Sequence, residues 1–204
     1  SRLLKGNTYR DASTVCLIPM PSESVEKIGD KIVHVHINGV DPVVLSSWFS
    51  LMSPMNQKFI RIFPRGWEVG NAYNEGINAI LSNPALASFK YLLTLEFDNI
   101  PPPDGLLKLI ESLNTDLKLA AVSGLYFTKG PGGMAMAYGR PGELPLNFIP
   151  QVPVPDTIMP VNGIGMGFAL WRMEVFKDPK FTPPWFRTVQ EVVPAGVRSY
   201  TQDL

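Results

Sequence analysis

Two carboxylates close an apolar run in Tyr91-Leu92-Leu93-Thr94-Leu95-Glu96-Phe97-Asp98-Asn99. Three prolines, Pro101, Pro102 and Pro103, then forbid a strand from continuing. Glu96 and Asp98 are two apart, so on an extended chain they point to the same side. Two acids at the carboxyl end of a buried strand are costly without a counter-charge, and a divalent cation bridging phosphates supplies one. Mg²⁺ and Mn²⁺ use one or two carboxylates plus substrate phosphates, which suits such a pair. On residue types alone a second reading stands beside this one, a strand exit with solvated acids.

Other constellations carry weaker chemistry. Asn71, Asn74 and Asn78 recur at i, i+3, i+7 and share a helical face opposite Tyr73, Ile77 and Ile80. The first turn of that helix would offer free N–H groups to an anion or a base edge; the alternative is an uncharged solvated face. In Asn162-Gly163-Ile164-Gly165-Met166-Gly167 three alternate glycines allow close backbone approach to a ligand. A dinucleotide loop is a poor match there, because the glycines follow a proline-rich stretch instead of a first strand. His34 and His36, the only histidines, share one strand face. As metal ligands they would need a third partner; mid-strand they also fit a structural role.

The elements that must position these groups alternate in type. Thr14–Met20 and Lys31–Ile37 read as strands, the second ending at Asn38-Gly39-Val40. Asp41-Pro42 then starts a helix with a capping acid and proline at its first position, with Leu45, Trp48, Phe49 and Met52 as the buried stripe. Lys58–Phe63 alternates as a strand closed by Pro64-Arg65-Gly66. Tyr73, Ile77, Ile80 and Leu81 mark the next buried stripe. After the 90–97 strand, Asp104 caps a helix with Leu106, Leu109, Ile110 and Leu113 inward, and Leu119–Leu125 is a further strand. This order indicates an α/β fold with a largely parallel sheet and no second domain. Ligands bind such sheets at the carboxyl ends of the strands, so the 38–40, 64–66 and 96–99 loops are expected to converge on one cleft.

Composition narrows the classes. The chain has 204 residues with 18 basic and 18 acidic side chains, so nothing advertises a nucleic-acid or anionic-membrane footprint. Cys16 is the lone cysteine and reads as a small buried hydrophobe, with no intrachain disulfide available. No apolar run approaches the roughly 20 residues of a membrane span, and no signal peptide is visible, so a cytoplasmic setting is expected. Proline is abundant, 20 of 204, and concentrated in 129–160, which is expected to be a long Gly/Pro-rich loop.

The order of the motifs resembles glycosyltransferases of the GT-A fold, in particular family 2-like enzymes, over roughly residues 31–204. The segments that carry it are His36-Ile37-Asn38-Gly39-Val40-Asp41-Pro42, Ala72-Tyr73-Asn74, Leu95-Glu96-Phe97-Asp98-Asn99-Ile100-Pro101-Pro102-Pro103-Asp104, Gly165-Met166-Gly167-Phe168, Pro184-Trp185-Phe186 and Gln202-Asp203. The resemblance implies a three-layer α/β/α sandwich with a mostly parallel mixed sheet. It implies transfer of a sugar from a nucleotide-diphosphate donor, a UDP- or GDP-sugar, to an unidentified acceptor hydroxyl, with inversion. Asp98 would ligate Mg²⁺ or Mn²⁺, and Glu96 would face the ribose or the metal shell. Asn38, Gly39, Val40, Arg65 and Asn74 would line the nucleotide pocket. Gly165, Met166, Gly167 and Trp185 would border the sugar and acceptor, and Asp203 would be the general base.

The departures are Glu96 for the usual first Asp, Tyr73 where an Arg is common, and Gln202 for the usual Glu. The resemblance also implies a helix and a histidine metal ligand beyond Leu204. Two other functions stay open. A sugar nucleotidyltransferase would want a Gly-rich loop with a basic residue after the first strand, and Asn38-Gly39-Val40-Asp41 has none. A non-catalytic nucleotide- or glycan-binding module is the other.

Overall fold

A computed structural model describes residues 11–21, 23–28, 31–36, 39–66, 68–128, 132–154, 156–187, 189–193 and 196–200. Along the chain come β1 (Thr14–Leu17), β2 (Glu23–Ile28), β3 (Lys31–His36), α1 (Pro42–Ser50), β4 (Phe59–Ile62), α2 (Val69–Ser82) and α3 (Pro84–Ala87). Then follow β5 (Tyr91–Leu95), α4 (Gly105–Leu113), β6 (Ala121–Ser123), β7 (Ala137–Tyr138), β8 (Gly163–Ile164) and β9 (Phe168–Arg172). A 3₁₀ turn at Met173–Lys177 precedes the hairpin of β10 (Val189–Val193) and β11 (Gly196–Tyr200).

The principal sheet has the order β4-β1-β5-β9-β6. β4, β1 and β5 pair parallel. β9 runs antiparallel to both β5 and β6, so β6 shares the direction of the first three and a single strand is reversed. The alternation of β1 and β5 splits the core into two layers. Cys16, Ile18, Leu93 and Leu95 face Val44, Trp48 and Leu51 of α1 and Leu106, Leu109, Ile110 and Leu113 of α4. Val15, Leu17 and Leu92 face Tyr73, Ile77 and Ile80 of α2. The architecture is a three-layer α/β/α sandwich with a mixed, mostly parallel sheet. Among the described residues no helix is long and apolar enough to cross a membrane.

Three local expectations need correction. The strand expected over 31–37, described over Lys31–His36, is not part of this sheet. Among the described residues β3 pairs with β2 alone, as an antiparallel hairpin between β1 and α1, and β1 is the first sheet strand. A β-branched, alternating segment satisfies a two-stranded ribbon as well as a sheet, and local pattern does not choose between them. Second, α1 is rotated relative to the expected stripe: Val44 and Trp48 are buried, whereas Phe49 is 75% exposed and Leu45 and Met52 are also exposed. Apolar residues cover more than one face of this helix, and only Trp48 belongs to both candidate faces. Third, Asp104 stands at the N-cap of α4 without bonding its amides. Its carboxylate pairs with Lys108 Nζ at 2.8 Å, and that hydrogen bond holds the Asp104 pKa low and the Lys108 pKa high. Asp41, by contrast, does cap α1, accepting from Val43 N at 2.7 Å.

Residues 132–154 and 156–160 carry little regular structure beyond β7, which pairs with β8, and isolated bridges such as Tyr138 with Pro150. Cys16 is wholly buried, as expected of a small hydrophobe. Burial pushes its thiol from an ordinary 9.0 up to about 12, with the Arg61 guanidinium pulling weakly the other way. The unfolded chain therefore loses this proton near pH 9 while the folded chain keeps it. Stability from this group is intact below pH 9 and falls by about 1.4 kcal/mol per pH unit above it. Urea unfolding between pH 8 and 10.5 is expected to show that slope in the parent and not in Cys16→Ala.

Candidate functional site

The parallel strands end together, and their exits define one edge. β1 continues through Ile18, whose N–H donates to Ile62 O at 2.9 Å, and Met20, whose N–H donates to Pro64 O at 2.7 Å. An isolated parallel bridge then joins Met20 to Arg65. Gly66 turns the chain with φ +81°, where glycine carries no Cβ penalty. Arg65 is exposed on this edge, on one side of the β1 exit. The two acids follow β5 on the other side.

The acids do not lie on an extended chain. β5 stops at Leu95, and Glu96 opens a β-turn in which Asn99 N donates to Glu96 O at 3.2 Å. Phe97, inside the turn, packs against the layer formed with α1 and α4. Both carboxylate residues are half-buried. The expectation that strand alternation puts them on one side is therefore replaced by turn geometry, which holds both within four residues. α1 is tied to this turn, since Trp48 Nε1 donates to Asn99 O at 3.3 Å. Between α1 and Ile100–Pro103 lies an apolar groove of about 600 Å³.

Two carboxylates in one half-buried turn match the donor set that Mg²⁺ or Mn²⁺ takes from a protein when phosphates complete its shell. No group of three or more His, Cys, Asp or Glu side chains that could hold a metal occurs among the described residues.

Other expected site residues are placed differently. Gly39 is exposed, and Val40 packs against the core; together they form the entry to α1 and do not end a sheet strand. Asn38 and Asp203 lie outside the described residues, as does Gln202, and of His34 and His36 only the backbone pairing is described. Asn71 and Asn78 are exposed, but Asn74 is buried and its amide is spent inside the protein. Its Oδ1 accepts from Trp185 N at 2.8 Å and Phe186 N at 3.1 Å, and its Nδ2 donates to Phe186 O at 2.7 Å. Asn74 thus clamps the Trp185–Phe186 segment to α2 and does not line a nucleotide pocket. Trp185 is half-buried, with Nε1 donating to Phe181 O at 2.8 Å and its ring edge-on to Phe176.

The glycine-rich segment is also packed inward. Met166 is 1% exposed, within the core layer of α2, so it cannot border a sugar. A Cβ on Gly165 would lie 2.0 Å from the Tyr126 hydroxyl, and one on Gly167 would lie 2.1 Å from Asn99 Nδ2 and 2.6 Å from Tyr126 Cζ. The close approach inferred for these glycines is real, but it is to the protein's own Tyr126 and Asn99. Tyr126 carries no sequence signal, and that of Arg172 is only a basic residue at the exit of the apolar Phe168–Trp171 run. Their contacts join residues some 40 to 60 positions apart, through Gly167 for Tyr126 and through Leu113 and Leu119 for Arg172.

No family model matches the sequence, and no curated protein matches it at a significant level. Solved structures superpose on most of the chain at low similarity. The crystal structure of A197 from STIV superposes with a TM-score of 0.49 at 17% identity, covering 84% of this chain and 72% of that one. CMP:2-keto-3-deoxy-manno-octonic acid synthetase complexed with CTP superposes with a TM-score of 0.41 at 13% identity, covering 84% of this chain and 78% of that one.

Proposed function

We propose that this chain is an enzyme of nucleotide-sugar chemistry, a metal-dependent glycosyltransferase of the GT-A type moving a sugar from a UDP- or GDP-sugar to an acceptor hydroxyl. The observation that carries the reading is the acid turn at the carboxyl end of β5, on the edge where the parallel strands β4, β1 and β5 end. That edge is where doubly wound sheets bind ligands. Asp98, with Glu96 beside it, would hold Mg²⁺ or Mn²⁺ against the diphosphate. When bound, the cation would supply positive charge where negative charge develops on the leaving diphosphate. Arg65 and Gly39 would flank the nucleotide, and Trp185, fixed by Asn74, would border the acceptor. Asp203 would take the proton from the acceptor hydroxyl, whose oxygen attacks the anomeric carbon in line and inverts it.

A sugar nucleotidyltransferase is the second reading, because it uses the same carboxylates and cation beside a nucleotide. Such an enzyme would want a Gly-rich loop with a basic residue after the first strand. The chain leaves β1 through Ile18-Pro19-Met20-Pro21, which has neither.

The products separate the readings. With Mn²⁺ and a panel of UDP- and GDP-hexoses, glycosyl transfer or slow donor hydrolysis releases the nucleoside diphosphate. With a nucleoside triphosphate and a sugar or sugar phosphate, nucleotidyl transfer releases pyrophosphate. We expect diphosphate release, and a loss of roughly 10²–10⁴-fold in turnover for Asp203→Asn with donor binding retained. Pyrophosphate release would support the second reading, and neither product would refute both.

A further inference from the structure

We infer that Tyr126 is a positioning residue for the acid turn. Three hydrogen bonds run in series from its side chain into that turn. The Tyr126 hydroxyl accepts from Gly167 N at 2.7 Å. Gly167 O accepts from Glu96 N at 3.1 Å, one residue beyond the Leu95–Phe168 pair that ends the β5–β9 ladder. Glu96 O accepts from Asn99 N at 3.2 Å, closing the turn.

Steric contact reinforces this path. The Tyr126 side chain fills the space that Cβ atoms on Gly165 and Gly167 would need, and Asn99 Nδ2 also crowds the Cβ position of Gly167. Tyr126 is itself anchored, because its carbonyl accepts from Met136 N at 3.0 Å and the nearby Gly124 N donates to Phe168 O at 2.9 Å. The Gly165–Gly167 segment is thus the rear brace of the acid turn, gripped by Tyr126.

The physical reason for a brace is conformational. A turn beyond the end of a sheet has few backbone bonds to fix it, and carboxylates on a loose turn must be ordered when a cation arrives. A side chain that fixes Gly167 fixes Glu96 N, and with it the direction of both acids. Tyr126→Phe keeps the ring and its contacts but removes the acceptor for the Gly167 N–H.

The role in cation binding rests on the reading of Glu96 and Asp98 given above, whereas the positioning of the turn is measurable without it. Native-state amide exchange on the parent, Tyr126→Phe and Gly165→Ala chains tests the positioning. The amides of Glu96 and Asn99 are expected to exchange about tenfold faster in Tyr126→Phe, the size set by one hydrogen bond, with Leu93 inside β5 unchanged. Gly165→Ala, which drives a methyl against the hydroxyl, should speed the same amides. Titration with Mn²⁺ alone, followed by the spectrum of the bound ion, should show about tenfold weaker binding in Tyr126→Phe. Unchanged exchange at Glu96 and Asn99, or a uniform loss of protection through β5, overturns the inference. If the parent chain binds no Mn²⁺, the cation reading falls, and exchange alone decides whether Tyr126 orders the turn.

Discussion

Arg172→Ala is expected to lower Tm by roughly 10 °C. Arg172 ends β9 and is 8% exposed. Its guanidinium donates from Nε to Leu119 O at 2.8 Å and from one terminal nitrogen to Leu113 O at 2.7 Å and Asp116 O at 3.4 Å. Leu113 is the last residue of α4, so a fixed cation sits at the negative end of that helix and satisfies a carbonyl the helix leaves unpaired.

Charge-assisted bonds of this kind contribute more than neutral ones, and truncation strands their acceptors. Losing two such bonds costs about 3–4 kcal/mol, against a total stability on the order of 5–15 kcal/mol. Each kcal/mol moves Tm by roughly 2–4 °C in a domain of this size. Arg172→Lys keeps the charge but not the planar fork, so it should recover less than half of the loss. Thermal unfolding of the three chains decides the matter. A shift under about 2 °C for Arg172→Ala would mean that water replaces the guanidinium at little cost.

Arg172 also shows what local sequence leaves out. Its position after an apolar strand marks an exit, yet its partners lie 53 and 59 residues earlier. The parts that were legible have strong local signals. Tyr73, Ile77 and Ile80 form the inward stripe of α2, and Leu106, Leu109, Ile110 and Leu113 that of α4, because 3.6-residue spacing is read directly from sequence. Asp41 caps α1 because an N-cap acid acts on an amide two residues away.

Two corrections are local, the Asp104 carboxylate turning to Lys108 four residues on and Glu96 to Asn99 closing as a turn, but the others depended on distant contacts. Asn74 shares a helical spacing with Asn71 and Asn78, but Trp185 and Phe186 pack over it alone and bury it. The alternate glycines at 165 and 167 do mark a close approach, although their spacing does not say to what. The 31–37 segment has strand character, but pairing partner is a tertiary choice. The Gly29-Asp30 dipeptide before it was a readable hairpin signal.

Asp98→Asn is expected to weaken Mn²⁺ binding by about 100-fold, the largest functional effect of a substitution within the described residues. The amide has the shape of the carboxylate, and its oxygen can still reach, but it brings no charge to a cation that has only two protein carboxylates in this turn. The metal-free fold should be little changed, because the turn is closed by the backbone bond from Asn99 to Glu96 and braced by Gly167, and both remain. Glu96→Gln should have the smaller effect of the two, as expected if Glu96 faces the ribose or the outer metal shell.

The central claim is a cation-dependent nucleotide site on the acid turn, and thermal unfolding of the parent and Asp98→Asn chains with UDP and GDP, with and without Mn²⁺, tests it most directly. A ligand present at 100 times its Kd stabilises the fold by about 2.7 kcal/mol, or roughly 5–10 °C for a chain of this size. The account predicts that rise for the parent chain with at least one nucleoside diphosphate, only when Mn²⁺ is present, and its loss in Asp98→Asn. A nucleotide that stabilises both chains equally without Mn²⁺, or no stabilisation by any nucleotide in either condition, would contradict it.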